Sequence, residues 1–164
     1  MASVNSMADR LKSERGAELI EFALIFPLLL LVLLGIIDFG FLFQRYEVLT
    51  NATREGARMA VLPNYTGADV RSRVCQYLLT SGVPTAGCPG TAPTNPVVTV
   101  ADVPIAIGGG VTPVQAKSVS LAYSHNFMFI GPIVGLMGGS WTNAKTITTT
   151  AIMRTELPPP VVTP

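Results

Sequence analysis

Few residues in this chain have the type and setting to do chemistry. Cys75 and Cys88 lie thirteen positions apart around a Gly/Pro-rich stretch. Such a pair reads as a disulfide in an oxidising compartment, with two unrelated thiols as the alternative. His125 is the single histidine, and no glycine-rich phosphate loop, clustered metal ligands or nucleophile–base arrangement accompanies it. The expectation is a protein that is not an enzyme and carries no cofactor and no metal. Glu18 and Glu21 stand just ahead of a long apolar run, where a helix N-terminus favours acids. Asp38 interrupts that run, and an ionisable group in such a place is costly and suspect of function.

The apolar run is the element that must position these acids. Phe22 to Ile37 is uninterrupted, and Phe39 to Phe43 resumes after Asp38. As a helix, Phe22–Phe43 reaches roughly 33 Å, enough to cross a hydrocarbon core of about 30 Å. Asp38 then falls about 24 Å beyond Phe22, near the far interface. There it reads either as a contact to another subunit or lipid, with Arg45 a candidate basic partner, or as a solvated acid. Pro27 is expected to bend the helix, and Gly35 offers a close-approach surface for another helix. Arg45–Leu62 keeps helical spacing, with Val48, Ala52, Glu55 and Met59 along one stripe. Span and extension together predict a rod of about 69 Å from Ala17 to Leu62, ended by Pro63. Glu55 and Arg58 are spaced to pair, whereas Arg54 and Arg58 repel mildly. These three read as a subunit contact or as a solvated charged face.

Beyond this helix, a chain of 164 residues has room for one small outer domain. With 13% charged residues and a net charge of +1, nothing suggests a nucleic-acid surface. Asp69 is placed as the cap of a short helix, Val70–Leu79, with Gly82 as its stop. Strand-like runs are Val97–Val100, Val103–Ile107, Lys117–Ser124 and Trp141–Thr155, with Gly108–Gly110 as a turn. The fold class is therefore α+β: a long N-terminal transmembrane helix continuing into a small outer domain with an antiparallel sheet packed on its outer half. Phe127–Gly138 is apolar but too short to span a bilayer, and Pro132 and its glycines argue against a regular helix. It reads as a loop under the sheet or as an exposed patch for a partner or membrane surface. The expected division is a basic leader 1–16, a helix 17–62 with its transmembrane part 22–43, an α+β domain 63–157 and a flexible Pro-rich tail 158–164. Basic residues tie across the span, Arg10, Lys12 and Arg15 against Arg45, Arg54 and Arg58. A disulfide would break the tie and put the C-terminal domain outside the cytoplasm.

Two resemblances sharpen this reading. The hydrophilic leader, Gly16-Ala17 and Glu21-Phe22 before the run resemble a prepilin-type signal. That implies cleavage after Gly16 by a prepilin peptidase on the cytoplasmic side, with the span retained. An α-amine freed at Ala17 would face Glu21 across one helical turn, and in pilin-like assemblies such a carboxylate meets the amine of a neighbouring subunit. Gly16–Leu62 resembles the TadE-like family of Tad (Flp-type) pilus assembly proteins, through Glu21-Phe22, Pro27 in the leucine run, Asp38-Phe-Gly and Arg54-Glu-Gly-Ala-Arg58. Ala151-Ile-Met-Arg-Thr-Glu156 resembles the family's closing strand. Ala17 departs from the aromatic that begins many type IV pilins. The resemblance implies a pilin-like outer domain and a non-catalytic minor pilin or pseudopilin-like subunit. It would sit in the bacterial inner membrane as a single pass, N-terminus cytoplasmic and domain periplasmic, and help build adhesive pili. Implied partners are other Tad minor pilins, the major Flp-type pilin, the inner-membrane assembly platform, prepilin peptidase and membrane lipid. Glu21, Pro27, Gly35, Asp38, Arg54, Glu55 and Arg58 would make helix-assembly contacts. The alternative is an uncleaved, anchored adaptor that holds partners in the periplasm.

Overall fold

The computed structural model describes residues 14–88, 95–105, 114–136, 138 and 144–155. The expectations for the leader, for a turn at Gly108–Gly110 and for the tail 158–164 fall outside these residues. Helix α1, Glu14–Ala60, runs 47 residues and passes through Pro27 without interruption. It stops two residues short of Leu62, because proline disfavours helix in the residue before it. Leu62 N–H closes a turn on the Met59 carbonyl at 3.1 Å instead.

The chain divides into two compact units, Met1–Gly40 with Met128–Trp141, and Phe41–Phe127 with Thr142–Pro164. In the first unit the side chains of α1 are exposed almost throughout, among them Leu19, Phe22, Leu24, Leu28 and Ile36. Among the described residues one helix, α1, is long and apolar enough to cross a membrane.

The second unit holds the core. Helix α2, Gly67–Thr80, begins three residues before the expected Val70. Thr66, not Asp69, is the N-cap: Asp69 N–H donates to Thr66 Oγ1 at 3.3 Å, and Thr66 N–H donates to Asp69 Oδ2 at 2.8 Å. This reciprocal pair is a capping box, in which an acceptor three residues after the hydroxyl reaches back to the cap. The exposed Asp69 carboxylate is held below its ordinary pKa of 3.8, first by the Thr66 hydroxyl and then by the Thr66 backbone N–H. At the other end Gly82 takes a φ of 72°, which lets Val83 N–H reach back to the Leu78 carbonyl.

The described strands form one antiparallel sheet in the order β1-β2-β3, with β1 at Val97–Ile105, β2 at Val114–Asn126 and β3 at Ala144–Arg154. The expected runs Val97–Val100 and Val103–Ile107 join into a single strand as far as Ile105, since Ala101 and Asp102 keep pairing with Ser118 and Lys117; Ala106 and Ile107 lie outside the described residues. Pro104 fits there because an edge strand has ladder positions that need no donor. Register aligns Val98, Leu121 and Thr149 in one row, and Val100, Val119 and Ala151 in the next. These rows pack with Leu49, Ala52, Ala57 and Ala60 of α1 and Val70, Val74 and Leu78 of α2. The fold is α+β, a long apolar helix followed by a small domain with a three-stranded antiparallel sheet.

Small residues let α1 into this core. A Cβ on Gly56 would lie 2.5 Å from Val74 Cγ2 and 3.3 Å from Val119 Cγ1. Glycine is thus required by the approach of α2 and β2, not tolerated as a weak point in the helix. Cys75 and Cys88 are joined in a disulfide with Cα atoms 5.7 Å apart, tying α2 to the loop after it.

Candidate functional site

The residues singled out from the sequence fall into separate groups along α1. Gly16, Ala17, Glu21 and Phe22 lie in its first turns, with Ala17, Glu21 and Phe22 exposed. Phe22 and Phe26, one turn apart, hold their rings 5.4 Å between centroids. Pro27 is exposed, and nothing lies within 4 Å of a Cβ built on Gly35. That glycine therefore makes no close approach to any described part of its own chain.

Asp38 behaves differently from the rest of this apolar stretch. It is 1% exposed, and its carboxylate accepts three consecutive backbone N–H groups. Met128 N–H donates to Oδ1 at 3.1 Å, while Phe129 and Ile130 donate to Oδ2 at 2.9 and 2.8 Å. These donors precede and open helix α3, Ile130–Leu136, whose first N–H groups have no intrahelical acceptor. A carboxylate supplies the missing acceptors, and hydrogen bonds to a charged acceptor are the stronger kind. The expectation of Asp38 as a solvated or lipid-facing acid is corrected: it is buried against Met128–Ile130. The expectation of an irregular Phe127–Gly138 is corrected too, because Pro132 falls in the first turn of α3, where no intrahelical donor is lost.

Arg54, Glu55 and Arg58 lie in the second unit. Glu55 accepts from Arg73 of α2 at 3.0 Å rather than from Arg58. Both partners are substantially exposed, so this pair contributes little to stability. Arg54 and Arg58 are exposed and show no ion pair among the described residues. Arg45 donates to Tyr123 Oη at 3.1 Å rather than meeting Asp38, with its guanidinium carbon 5.7 Å from the ring centroid.

Several polar contacts carry no local signal in the sequence. Thr53 and Thr149 share a hydrogen bond of 2.6 Å between α1 and β3, and Thr53 also donates to the Leu49 carbonyl at 2.6 Å. The Asn95 side chain bonds both backbone groups of Ser124. The partners are 96 and 29 positions apart, and a threonine on the apolar face of a helix is the one hint available.

Among the described residues no group of three or more metal-ligating side chains occurs. His125 is buried and meets Phe127 edge to face at 5.3 Å between ring centroids. The geometry supplies an uncovered apolar helix, an acid locked to a short apolar segment, and a small disulfide-tied domain. No curated protein and no solved structure matches the chain. Residues 16–58 match the family model described as TadE-like protein, and the chain is consistent with a TadE-like protein.

Proposed function

We propose that the chain is a non-catalytic minor pilin or pseudopilin-like subunit for assembly of an adhesive Tad (Flp-type) pilus. The observation that carries this reading is the N-terminal part of α1, whose apolar side chains stay exposed within the very stretch that matches the TadE-like family. Lipid or neighbouring helices would cover that surface, which is larger than soluble monomers ordinarily leave bare. The protein spans the inner membrane once, N-terminus in the cytoplasm, and its domain lies in the periplasm, where the Cys75–Cys88 bridge can form. Prepilin peptidase cuts between Gly16 and Ala17, and Glu21 then meets the new amine of a neighbouring subunit. Gly35 supplies a helix-packing surface, while Arg54 and Arg58 face partner subunits from the outer domain. Other minor pilins, the major Flp-type pilin and the assembly platform are the partners.

Mass spectrometry of the accumulated protein, extracted from membranes that contain the peptidase, tests the cut. A mature chain starting at Ala17 is expected. A chain still carrying Met1 overturns the subunit reading in favour of an anchored adaptor, and detection in sheared pili counts against the adaptor. Glu21→Ala is expected to lower pilus yield while leaving membrane insertion intact; an unchanged yield removes Glu21 from the assembly contacts.

A further inference from the structure

We infer that Met128–Leu136 is a second membrane element, an interfacial segment embedded in the outer leaflet and latched to the spanning helix by Asp38. The inference rests on α1 crossing the bilayer and goes beyond the assembly role proposed above.

Three observations meet here. First, the segment belongs to the same compact unit as the N-terminal part of α1. Its attachment is specific, through the three N–H groups that Asp38 accepts. Second, depth follows from the helix rise. With Phe22 at the inner edge of a core about 30 Å thick, Asp38 lies about 24 Å along and still below the outer edge. Whatever Asp38 holds is therefore held at the level of the outer leaflet. Third, the segment has the chemistry for that level. No charged residue occurs between His125 and Lys145, and Met128 is 65% exposed. Phe129, Ile130, Ile133 and Val134 are half-buried, so they too keep apolar surface outward. An apolar stretch of this length is too short to span and suits an interfacial position.

The latch also resolves what each partner would cost alone. An aspartate at membrane depth is expensive unless hydrogen-bonded, and so are free N–H groups in an apolar medium. Joined, they satisfy each other. The occupant of the apolar surface is thus lipid: the segment shares a compact unit with the bare apolar part of α1 and is fixed to it at membrane depth.

The test uses the full chain in vesicles of phosphatidylethanolamine and phosphatidylglycerol, with no other protein present. The two native cysteines are bonded to each other, so one added cysteine can carry a nitroxide label. Collisions with oxygen, which partitions into lipid, are compared with collisions with a water-soluble nickel chelate. Labels at Leu31→Cys on the span and Thr148→Cys on the exposed side of the sheet set the lipid and water limits. Met128→Cys and Ile133→Cys are expected to resemble Leu31→Cys, with an oxygen-to-nickel ratio several-fold above that of Thr148→Cys. Nickel-dominated collisions at both positions, with Leu31→Cys still in lipid, overturn the inference and leave the span standing. Nickel-dominated collisions at Leu31→Cys overturn the span and the inference together. Adding Asp38→Ala is expected to move the label at 128 several-fold toward nickel while Leu31→Cys and Thr148→Cys keep their values. An unchanged ratio at 128 overturns the role of Asp38 as the latch.

Discussion

The two ends of α1 solve opposite problems with one helix. From Leu19 to Phe43 the helix shows large apolar side chains, most of which its own chain leaves bare, Leu42 being one that packs on the core. From Leu49 to Ala60 it turns mostly small residues inward, and its own domain covers them. Large exposed residues suit a fluid apolar solvent that adapts to any shape. Small buried residues suit a fixed neighbour, because they let α2 and the sheet come close. Gly35 and Gly56 make the contrast at single positions. A Cβ on Gly35 meets nothing within 4 Å, whereas one on Gly56 collides with Val74. The same residue type therefore has an intrachain reason at one end of the helix only.

The contrast can be broken most directly by trimming leucines. Leu49→Ala removes a fully buried side chain and should cost about 2–5 kcal/mol of stability. Leu31→Ala should stay within about 0.5 kcal/mol, because that side chain is not part of a packed interior. Thermal unfolding in detergent micelles measures both, and equal losses would dissolve the distinction. Next in size is the disulfide. Cys75→Ser with Cys88→Ser should destabilise the domain by about 3 kcal/mol, the chain-entropy value for a loop of this order. A nitroxide at Leu31→Cys should stay in lipid when the bridge is absent.

A finer test compares the glycines. Gly56→Ala should cost about 1–3 kcal/mol from overpacking against Val74, reduced by about 1 kcal/mol of helix propensity. Gly35→Ala has only the propensity gain and should leave stability unchanged or slightly raised; a loss of pilus yield there would assign Gly35 to assembly. The smallest effect expected is at Asp69. Its carboxyl is held below the ordinary value of 3.8 in the folded chain, so the capping box contributes fully above that value. The contribution fades as pH falls through the lower folded pKa. Asp69→Ala should flatten the acid limb of a stability–pH profile slightly, and an identical limb would show that Asp69 adds nothing there.

Much of this protein is written locally. The unbroken Phe22–Ile37 run announces a helix for an apolar medium, because apolar side chains on every face leave no polar side to wet. Alternation in Lys117–Ser124 announces a half-buried strand, and β2 buries Val119, Leu121 and Tyr123 in that rhythm. The Glu-Phe, Asp-Phe-Gly and Arg-Glu-Gly-Ala-Arg motifs point to the same stretch that the TadE-like family matches. Even the capping box is legible, as Thr66 and Asp69 at the proper spacing, once the hydroxyl rather than the acid is taken as the cap.

Other features depend on what lies far away in the chain. Glu55 has Arg58 within reach on its own helix but pairs with Arg73, since α2 brings a second cation alongside. Gly56 looks like a flaw in the helix until Val74 and Val119 are set against it. Asp38 shows the division most clearly. Sequence alone established that an acid interrupts an apolar run about 24 Å beyond Phe22, because rise and hydropathy are local properties. Only the tertiary structure decided what that acid does, because its three donors come from residues 90 to 92 positions later. A helix pattern records which face must be covered; it cannot record which distant backbone arrives to cover it.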